Sequence, residues 1–531
     1  MPMTLLSQSL LMKIEKIELG ETGNFSPIFL DYLQQKDQLR PFYHLYPSME
    51  NLGKQLRLKE FSKEKRAVLA KVLEEQYADI EVDTKVRDHI SQLKSAKTFT
   101  ITTGHQLNIF SGPLYFIYKI ATVINTCKKL AEAFPEFNFV PVYWMASEDH
   151  DFEEINHFRL FGKTYTWETD QTGAVGRFDP VGLRNILSAL PEKLALFEQA
   201  YLGHNNLADA TRFFVNELFG SQGLVVVDAD HPGLKAEIKG LMLDDLIKHQ
   251  AESIVVPDSD RIEKMGYKSQ VFCRPVNFFY LDNGIRERIV YQNGRYEINN
   301  TDLFFTKEEI QELVQTNPEK FSPNVILRPL YQETILPNLA YIGGPAEVAY
   351  WLQLHGLFRH YKIPFPVLMP RNFALIINRA NAKKIGKTGV EPKSLFRDEQ
   401  FLKERFITGN GGRKLTLERE KEILEQVFQS IKNQALTVDK SLGGFIGAEG
   451  NKVLKSVENI EKRLKKAEES KYENSLKSLL AVKEKLFPEG KLQERADNFL
   501  NFYINNPDFT DRILEAVDPF DFRFHILIED E

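Results

Sequence analysis

The sequence predicts an α/β protein built on a parallel sheet, followed by a long helical hairpin. Three observations carry this. Apolar, strand-like runs alternate with amphipathic helical segments, the pattern of strand–helix–strand crossover units. One of these runs, Phe137–Ser147 (FNFVPVYWMAS), is almost continuously apolar, as a strand buried on both faces of a parallel sheet must be. From about residue 385 the chain turns rich in Lys, Glu and Leu, and residues 414–487 hold no proline.

Taken in order, residues 1–95 read as charged helices broken at Pro41 and Pro47. Thr98–Gly104 (TFTITTG) has the β-branched and aromatic content of a strand. Leu114, Ile117, Ile120, Ile124, Cys127 and Ala131 then recur every three or four residues, giving a helix one apolar face. Ser111 or Gly112 is expected to cap that helix, with Pro113 at its first position. Gly223–Asp230 reads as a buried strand ending in acids. Asn277–Ile298 holds two Asn-Gly pairs between alternating runs, the signature of an antiparallel meander inserted in the core. Ala340–Gly344 and Pro364–Arg371 read as later core strands with one helix between them.

In the hairpin, Leu424, Phe428, Ile431 and Ala435 and then Val453, Val457, Ile460, Leu464 and Ala467 step by three and four, as coiled-coil seams do. Gly443, Gly444, Gly447 and Gly450 are expected to form a turn or loosened region between the helices. Lys491–Asn506 reads as one more helix and Asp518–Glu529 as a final strand. The resulting division is 1–385 for the core, with insertions at about 155–222 and 231–330, then 386–490 for the helical domain and 491–531 for a segment returning to the core.

Composition bounds the function. The 531 residues carry 68 Lys and Arg against 74 Asp and Glu, a formal charge of −6, which argues against a nucleic-acid scaffold. Cys127 and Cys273 are the only two cysteines, too few for a disulfide framework or a Cys-rich zinc site, and a reducing cytosol fits best. The first twenty residues lack a basic start and a cleavage motif, and no apolar run reaches 18 residues, so neither a leader nor a membrane span is expected.

Three segments carry candidate chemistry. The first, Thr103–Gly112, joins a core strand to its helix, where parallel sheets collect ligands and helix N-termini attract phosphate. Gly104, His105, Gln106, Asn108, Ser111 and Gly112 are its candidate phosphate or nucleotide contacts. The second, Ser147–Glu154 (SEDHDFEE), follows a buried strand directly. Glu148, Asp149, His150 and Asp151 are there to hold an amine or move a proton; Mg²⁺ is conceivable, although the spacing matches no established metal motif. The third, Leu327–Trp351, offers Arg328, Glu333, Glu347 and Tyr350 as substrate contacts and Gly343 and Gly344 as a second anion cradle. Arg371, after the last core strand, is expected to reach the same crevice. Cys127 lies on the apolar helix face and reads as a structural thiol.

The segments TGHQLNIFSGPLYFIYK, PVYWMASEDHDFEEIN, YIGGPAEVAYW and LFPEGKLQER, in that order along most of the chain, resemble the BshC family, the cysteine ligases of bacillithiol synthesis. His105 departs from the glutamine expected there in many members. The resemblance implies a Rossmann-like core related to class I aminoacyl-tRNA synthetases, inserted connecting subdomains, and a coiled coil supporting a homodimer. It implies that cysteine is joined to glucosaminyl malate; because a carboxylate is a poor acyl electrophile, ATP is expected to activate that of cysteine, and the composition leads to the expectation of a cytoplasmic protein without nucleic acid or membrane partners. The synthetase His-x-Gly-His signature is absent; Ser111-Gly112-Pro113-Leu114 stands in its place. Two other readings stand beside this one: a synthetase-like nucleotide- or tRNA-handling enzyme, and a non-catalytic dimeric scaffold for metabolites. The ligase reading requires the segments around residues 104, 149 and 344 to line one shared cavity.

Overall fold

The computed structural model describes residues 12–411 and 415–529. The leading residues 1–11, part of the stretch read as lacking a leader, lie outside the described residues. The chain divides into two units. The larger comprises Glu18–Leu375 and Leu492–His525; the smaller is built mainly from Ile376–Lys491, with the strand Met12–Ile17.

The larger unit is organised by five strands: β1 (Thr98–His105), β2 (Asn138–Met145), β3 (Val225–Asp228), β4 (Asn338–Gly343) and β5 (Val367–Pro370). Their order is β5-β4-β1-β2-β3, and every pairing is parallel. This is the doubly wound order of a Rossmann-like sheet. The registers His105↔Met145↔Asp228 and Gly343↔Pro370 bring the carboxyl ends of the strands to one edge. The strand order reverses between β1 and β4, which makes that edge the switch point where such folds bind ligands.

Burial on both faces explains the apolar strand sequences. All eight residues of β1 are buried, and seven of the eight in β2. Helix α1 (Tyr115–Ala133) packs Val123, Cys127 and Leu130 against Phe99, Ile101 and Phe139. Each such side chain contributes about 1.5–3 kcal/mol through its removal from water. Cys127 belongs to this core, and burial pushes its thiol well above the ordinary value.

Helix α1 departs from its expected start. Neither Ser111 nor Gly112 caps it; the helix begins at Tyr115 after a buried turn in which Phe110, Ser111 and Gly112 all have positive φ. The amide of Asn498 explains the turn by donating to the carbonyls of Phe110 and Gly112 at 2.8 and 2.6 Å. Gly112 is required there, since a Cβ would fall 2.4 Å from that of Asn108.

The insertion at Phe278–Asp282, Ile285–Gln292 and Arg295–Ile298 is the expected antiparallel meander, turning at Asn283-Gly284 and Asn293-Gly294. Short strands at Phe304–Phe305 and Phe321–Pro323 extend it to five. Two one-helix expectations resolve differently. Pro345–Tyr361 forms two helices, α3 (Pro345–Leu352, after α2 at Arg328–Ile335) and a turn at His355–His360. Lys491–Asn506 forms two single turns, Gln493–Ala496 and Leu500–Tyr503, because Asp497 and Asn498 turn back to bond the loop before α1.

In the smaller unit, α4 (Glu418–Val438) and α5 (Leu442–Ser470) form the antiparallel hairpin, followed by α6 (Glu473–Leu486). The turn lies at Asp439–Ser441, and the four glycines stand inside α5 instead of forming it. Gly443 faces Leu436 and Gly450 faces Phe428, with added Cβ atoms only 3.0 and 3.1 Å from those side chains. These two glycines let the helices approach closely. The expected last strand is Phe524–Glu529. Among the described residues no helix is long and apolar enough to cross a membrane.

Candidate functional site

A cavity of about 870 Å³ opens at the carboxyl edge of the sheet. Gly104, Asp149 and Gly344 all line it, so the three candidate segments converge. The cavity lies within the larger unit.

Its floor is the switch point itself. Gly104 is the penultimate residue of β1, and Gly344 follows β4. An added Cβ on Gly104 would lie 3.0 Å from the Tyr341 hydroxyl and 3.6 Å from Arg328 Nη1, so glycine keeps this floor open. Lys119, one turn into α1, ties the two sides together. Its ammonium donates to the Gly104 carbonyl at 2.7 Å and pairs with Glu347 at 2.6 Å. Glu347 in turn accepts from the Gly344 N–H at 2.8 Å and from the Tyr341 hydroxyl at 2.6 Å. Burial opposes charge on both partners. It wins at Lys119, which is lowered, whereas at Glu347 the pairing with Lys119 outweighs it and holds the carboxyl below its usual range.

Two buried donors on this floor have unused polar atoms. His105 stacks on Phe116 with centroids 5.0 Å apart, and its Nε2 has no partner among the described residues. Burial, with Lys119 and Arg371 nearby, lowers its pKa well below the ordinary value, so the ring is neutral at physiological pH. Arg371 forks onto Glu494 at 2.6 and 3.0 Å, leaving its Nε–H without a partner. Arg328 donates to Gln332 and to the Tyr350 hydroxyl at 3.0 and 3.1 Å.

The acidic segment supplies a second wall. Burial opposes ionisation of Asp149, but hydrogen bonds from His150 and Gln106 and the charge of Arg286 outweigh it and hold its carboxyl below the usual range. Arg286 also donates to Nδ1 of His150, which leaves Nε2 as the ring's donor. Glu148 sits deeper, paired at 2.6 Å with the fully buried Lys235, which also reaches Asp230 at 2.9 Å. Burial nevertheless raises the Glu148 carboxyl above its ordinary value.

Of the residues singled out from sequence, Gly104, His105, Gln106, Glu148, Asp149, His150, Arg328, Gly344, Glu347, Tyr350 and Arg371 reach the cavity. Others do not line it. Asn108, Ser111 and Gly112 are buried in the turn bonded by Asn498. Gly343 is buried, and Asp151 is exposed. Glu333 lies away from the cavity, its carboxylate paired at 3.1 Å with Lys59, with both side chains buried.

The sequence reading missed Lys119, Lys235, Arg274, Arg286, Arg288 and Arg495. Lys119 had a signal as the one charge among apolar residues in LYFIYKIATV. Arg286 and Arg288 had another: two residues apart on a strand, they share a face. Lys235 had none. Seven Lys and Arg against four Asp and Glu line the cavity, which reverses the sign of the whole chain and suits anionic ligands. Among the described residues no group of three or more His, Cys, Asp or Glu is placed to hold a metal ion.

Comparison with known proteins gives concordant matches. Residues 12–372 match the family model "Bacillithiol biosynthesis BshC, N-terminal Rossmann-like domain", and residues 374–529 match "Bacillithiol biosynthesis BshC, C-terminal coiled-coil domain". A protein of Flavobacterium psychrophilum named "Putative cysteine ligase BshC" is 42% identical over 530 residues, covering 97% of this chain and 99% of the relative. Proteins of the same name from Cytophaga hutchinsonii and Flavobacterium johnsoniae are 41% and 40% identical, each across 97% of this chain and 98% and 100% of the relative.

Proposed function

Since the chain belongs to the BshC family of bacillithiol biosynthesis, we propose that its switch-point cavity joins cysteine to the amine of glucosaminyl malate, with ATP activating the cysteine carboxylate. The convergence of Gly104, Asp149 and Gly344 on one cavity carries this reading. A free carboxylate is a poor electrophile because oxide would have to leave. Attack of its oxygen on a phosphorus of ATP forms a mixed anhydride and expels pyrophosphate or ADP. The sugar amine then attacks the carbonyl carbon, the C–N bond forms, and the phosphate leaves with the C–O bonding pair.

Each step has residues suited to it. The open floor at Gly104 and Gly344, with the unpartnered Nε–H of Arg371, accommodates phosphate oxygens. Arg328, held charged beside Trp144 and Tyr341, offsets charge developing in the transfer. Asp149, ionised throughout the physiological range, receives the cysteine ammonium. His150 offers an Nε2–H donor while Arg286 occupies its Nδ1. Glu148, its carboxyl raised by burial, is the better-placed acceptor for the proton lost by the amine. Any Mg²⁺ would arrive with the nucleotide phosphates and help to neutralise them.

The reading includes a cytoplasmic homodimer assembled through the helical hairpin. In support, α4 has no buried residue, and Val427 and Ile431 on it remain 47% and 40% exposed. The test of the activity is ATP consumption by the purified protein. It should require both cysteine and glucosaminyl malate and yield their amide by mass spectrometry, while AMP or ADP reports which phosphorus is attacked. Turnover independent of either substrate, or no amide, refutes the assignment.

A further inference from the structure

One wall of the cavity is not explained by carboxylate activation. It comes from the inserted meander and the loop leading into it, and its cations are Arg274 in that loop and Arg286 and Arg288 on the second meander strand. The register sets Arg288 directly opposite Phe279, and Arg286 lies two residues away on the same face. The Arg286 guanidinium stacks 4.0 Å over the Phe279 ring, and its Nε donates at 3.3 Å to the hydroxyl of Ser322, on the strand beyond that of Phe279. Its side chain is 7% exposed. This residue is fixed in place by packing, and its charge is already shared with Asp149, 3.8 Å away.

Arg288 and Arg274 differ. Among the described residues neither guanidinium has a hydrogen bond or an ion pair, and both face the cavity. Two unmatched guanidiniums line the cavity together with a third that is rigidly held, all from the inserted segment. The phosphate-facing groups stand elsewhere: Arg328 opens α2, and Arg371 directly follows β5. A fork-shaped donor matches carboxylate geometry, and two such forks on one wall match a ligand with two carboxylates.

We propose that the meander wall is a dicarboxylate subsite, in which Arg288 and Arg274 each take one carboxylate of the malyl group while Arg286 positions the wall. This rests on the functional reading above and deepens it. The malyl end is fixed on the insertion, so the sugar amine is directed toward the sheet edge, where the activated carboxyl forms. Selection between a sugar amine bearing a dicarboxylate and one lacking it then belongs to the insertion and not to the sheet.

Calorimetry on the full-length protein with L-malate as the probe tests the subsite without relying on turnover. L-malate should bind the wild type, bind about tenfold or more tightly than the monocarboxylate L-lactate, and bind together with ATP. R288Q and R274Q should each weaken malate binding by about tenfold or more, the loss expected from removing one charge-assisted contact. In the ligase assay the same variants should raise the KM for glucosaminyl malate with little change in the KM for cysteine. No malate binding to the wild type, equal binding to both variants, or displacement of malate by ATP overturns the subsite. Failure of cysteine-dependent ATP turnover with malate binding intact would strike the functional reading and leave the subsite standing.

Discussion

Replacing Lys235 with methionine tests how far the acidic wall depends on one buried cation. Its ammonium pairs with Glu148 at 2.6 Å and donates to Asp230 at 2.9 Å and to the Glu319 carbonyl at 3.0 Å. Methionine keeps the unbranched shape, so the change is chiefly electrostatic. Asp230 retains Arg177 at 2.9 Å, but Glu148 is left in a buried site without its cation. Removing one partner of a buried pair costs about 3–5 kcal/mol. The remaining Arg177 argues for the low end, and the lost carbonyl bond adds about 1 kcal/mol, giving about 4 kcal/mol. At ~2.1 cal/mol/K per residue for a unit this large, the melting temperature should fall by on the order of 5 °C. The deficit should also depend on pH. With its cation gone, Glu148 has a folded-state pKa raised further by burial, so the variant folds best with that carboxyl protonated and loses stability as pH rises through it. The gap from wild type should therefore be small near pH 5 and widen toward pH 8. Urea unfolding followed by tryptophan fluorescence reads the correct unit, since Trp144, Trp167 and Trp351 all lie in it. A deficit below about 1 kcal/mol at pH 8, or one flat across that range, would refute the reasoning.

Other substitutions probe the remaining features. Gly104→Ala should push against the Tyr341 hydroxyl, weaken ATP binding by about tenfold and cost only about 1 kcal/mol of stability; a wild-type Kd would remove Gly104 from the phosphate floor. Asp149→Asn removes a carboxyl that burial disfavours but whose hydrogen bonds and Arg286 hold below the usual range, so the wild type's advantage should be complete above about pH 4 and vanish as pH falls through the folded-state value. Acid-unfolding curves that stay parallel would contradict this. Val427→Glu with Ile431→Glu places charge on the exposed apolar line of α4 and should convert a dimer to a monomer by light scattering; an unchanged mass would refute assembly through that face.

Legibility in the sequence followed the range of the interactions. The apolar run around Trp144 and the Asn-Gly turns of the meander are local signals, and both elements form where they are expected. The cavity segments were readable because each directly follows a core strand. What the sequence hid depended on distant partners. Nothing local shows that Asn498 closes the turn at Phe110–Gly112 and removes Asn108 and Ser111 from the cavity. Glu333 looked like a ligand contact until Lys59, 274 residues away, accounted for its charge. The hairpin glycines read as a break because glycine weakens helices, yet close packing against Phe428 and Leu436 uses their missing side chains. Lys119 and Lys235 were passed over because a single lysine in a helix is usually solvated, and only tertiary structure reveals what each one bridges.

The closing segment Leu492–His525 has a consequence for biogenesis. It returns to the larger unit after the whole helical hairpin, supplying Glu494 to Arg371 and Asn498 to the turn after β1. During synthesis the parallel sheet can form once its five strands have emerged, but the crevice at its edge remains unfinished until residues 494–498, beyond the whole hairpin, have been added. A chain that stops before residue 494 therefore holds all five strands but lacks the groups that fix Arg371 and the turn after β1.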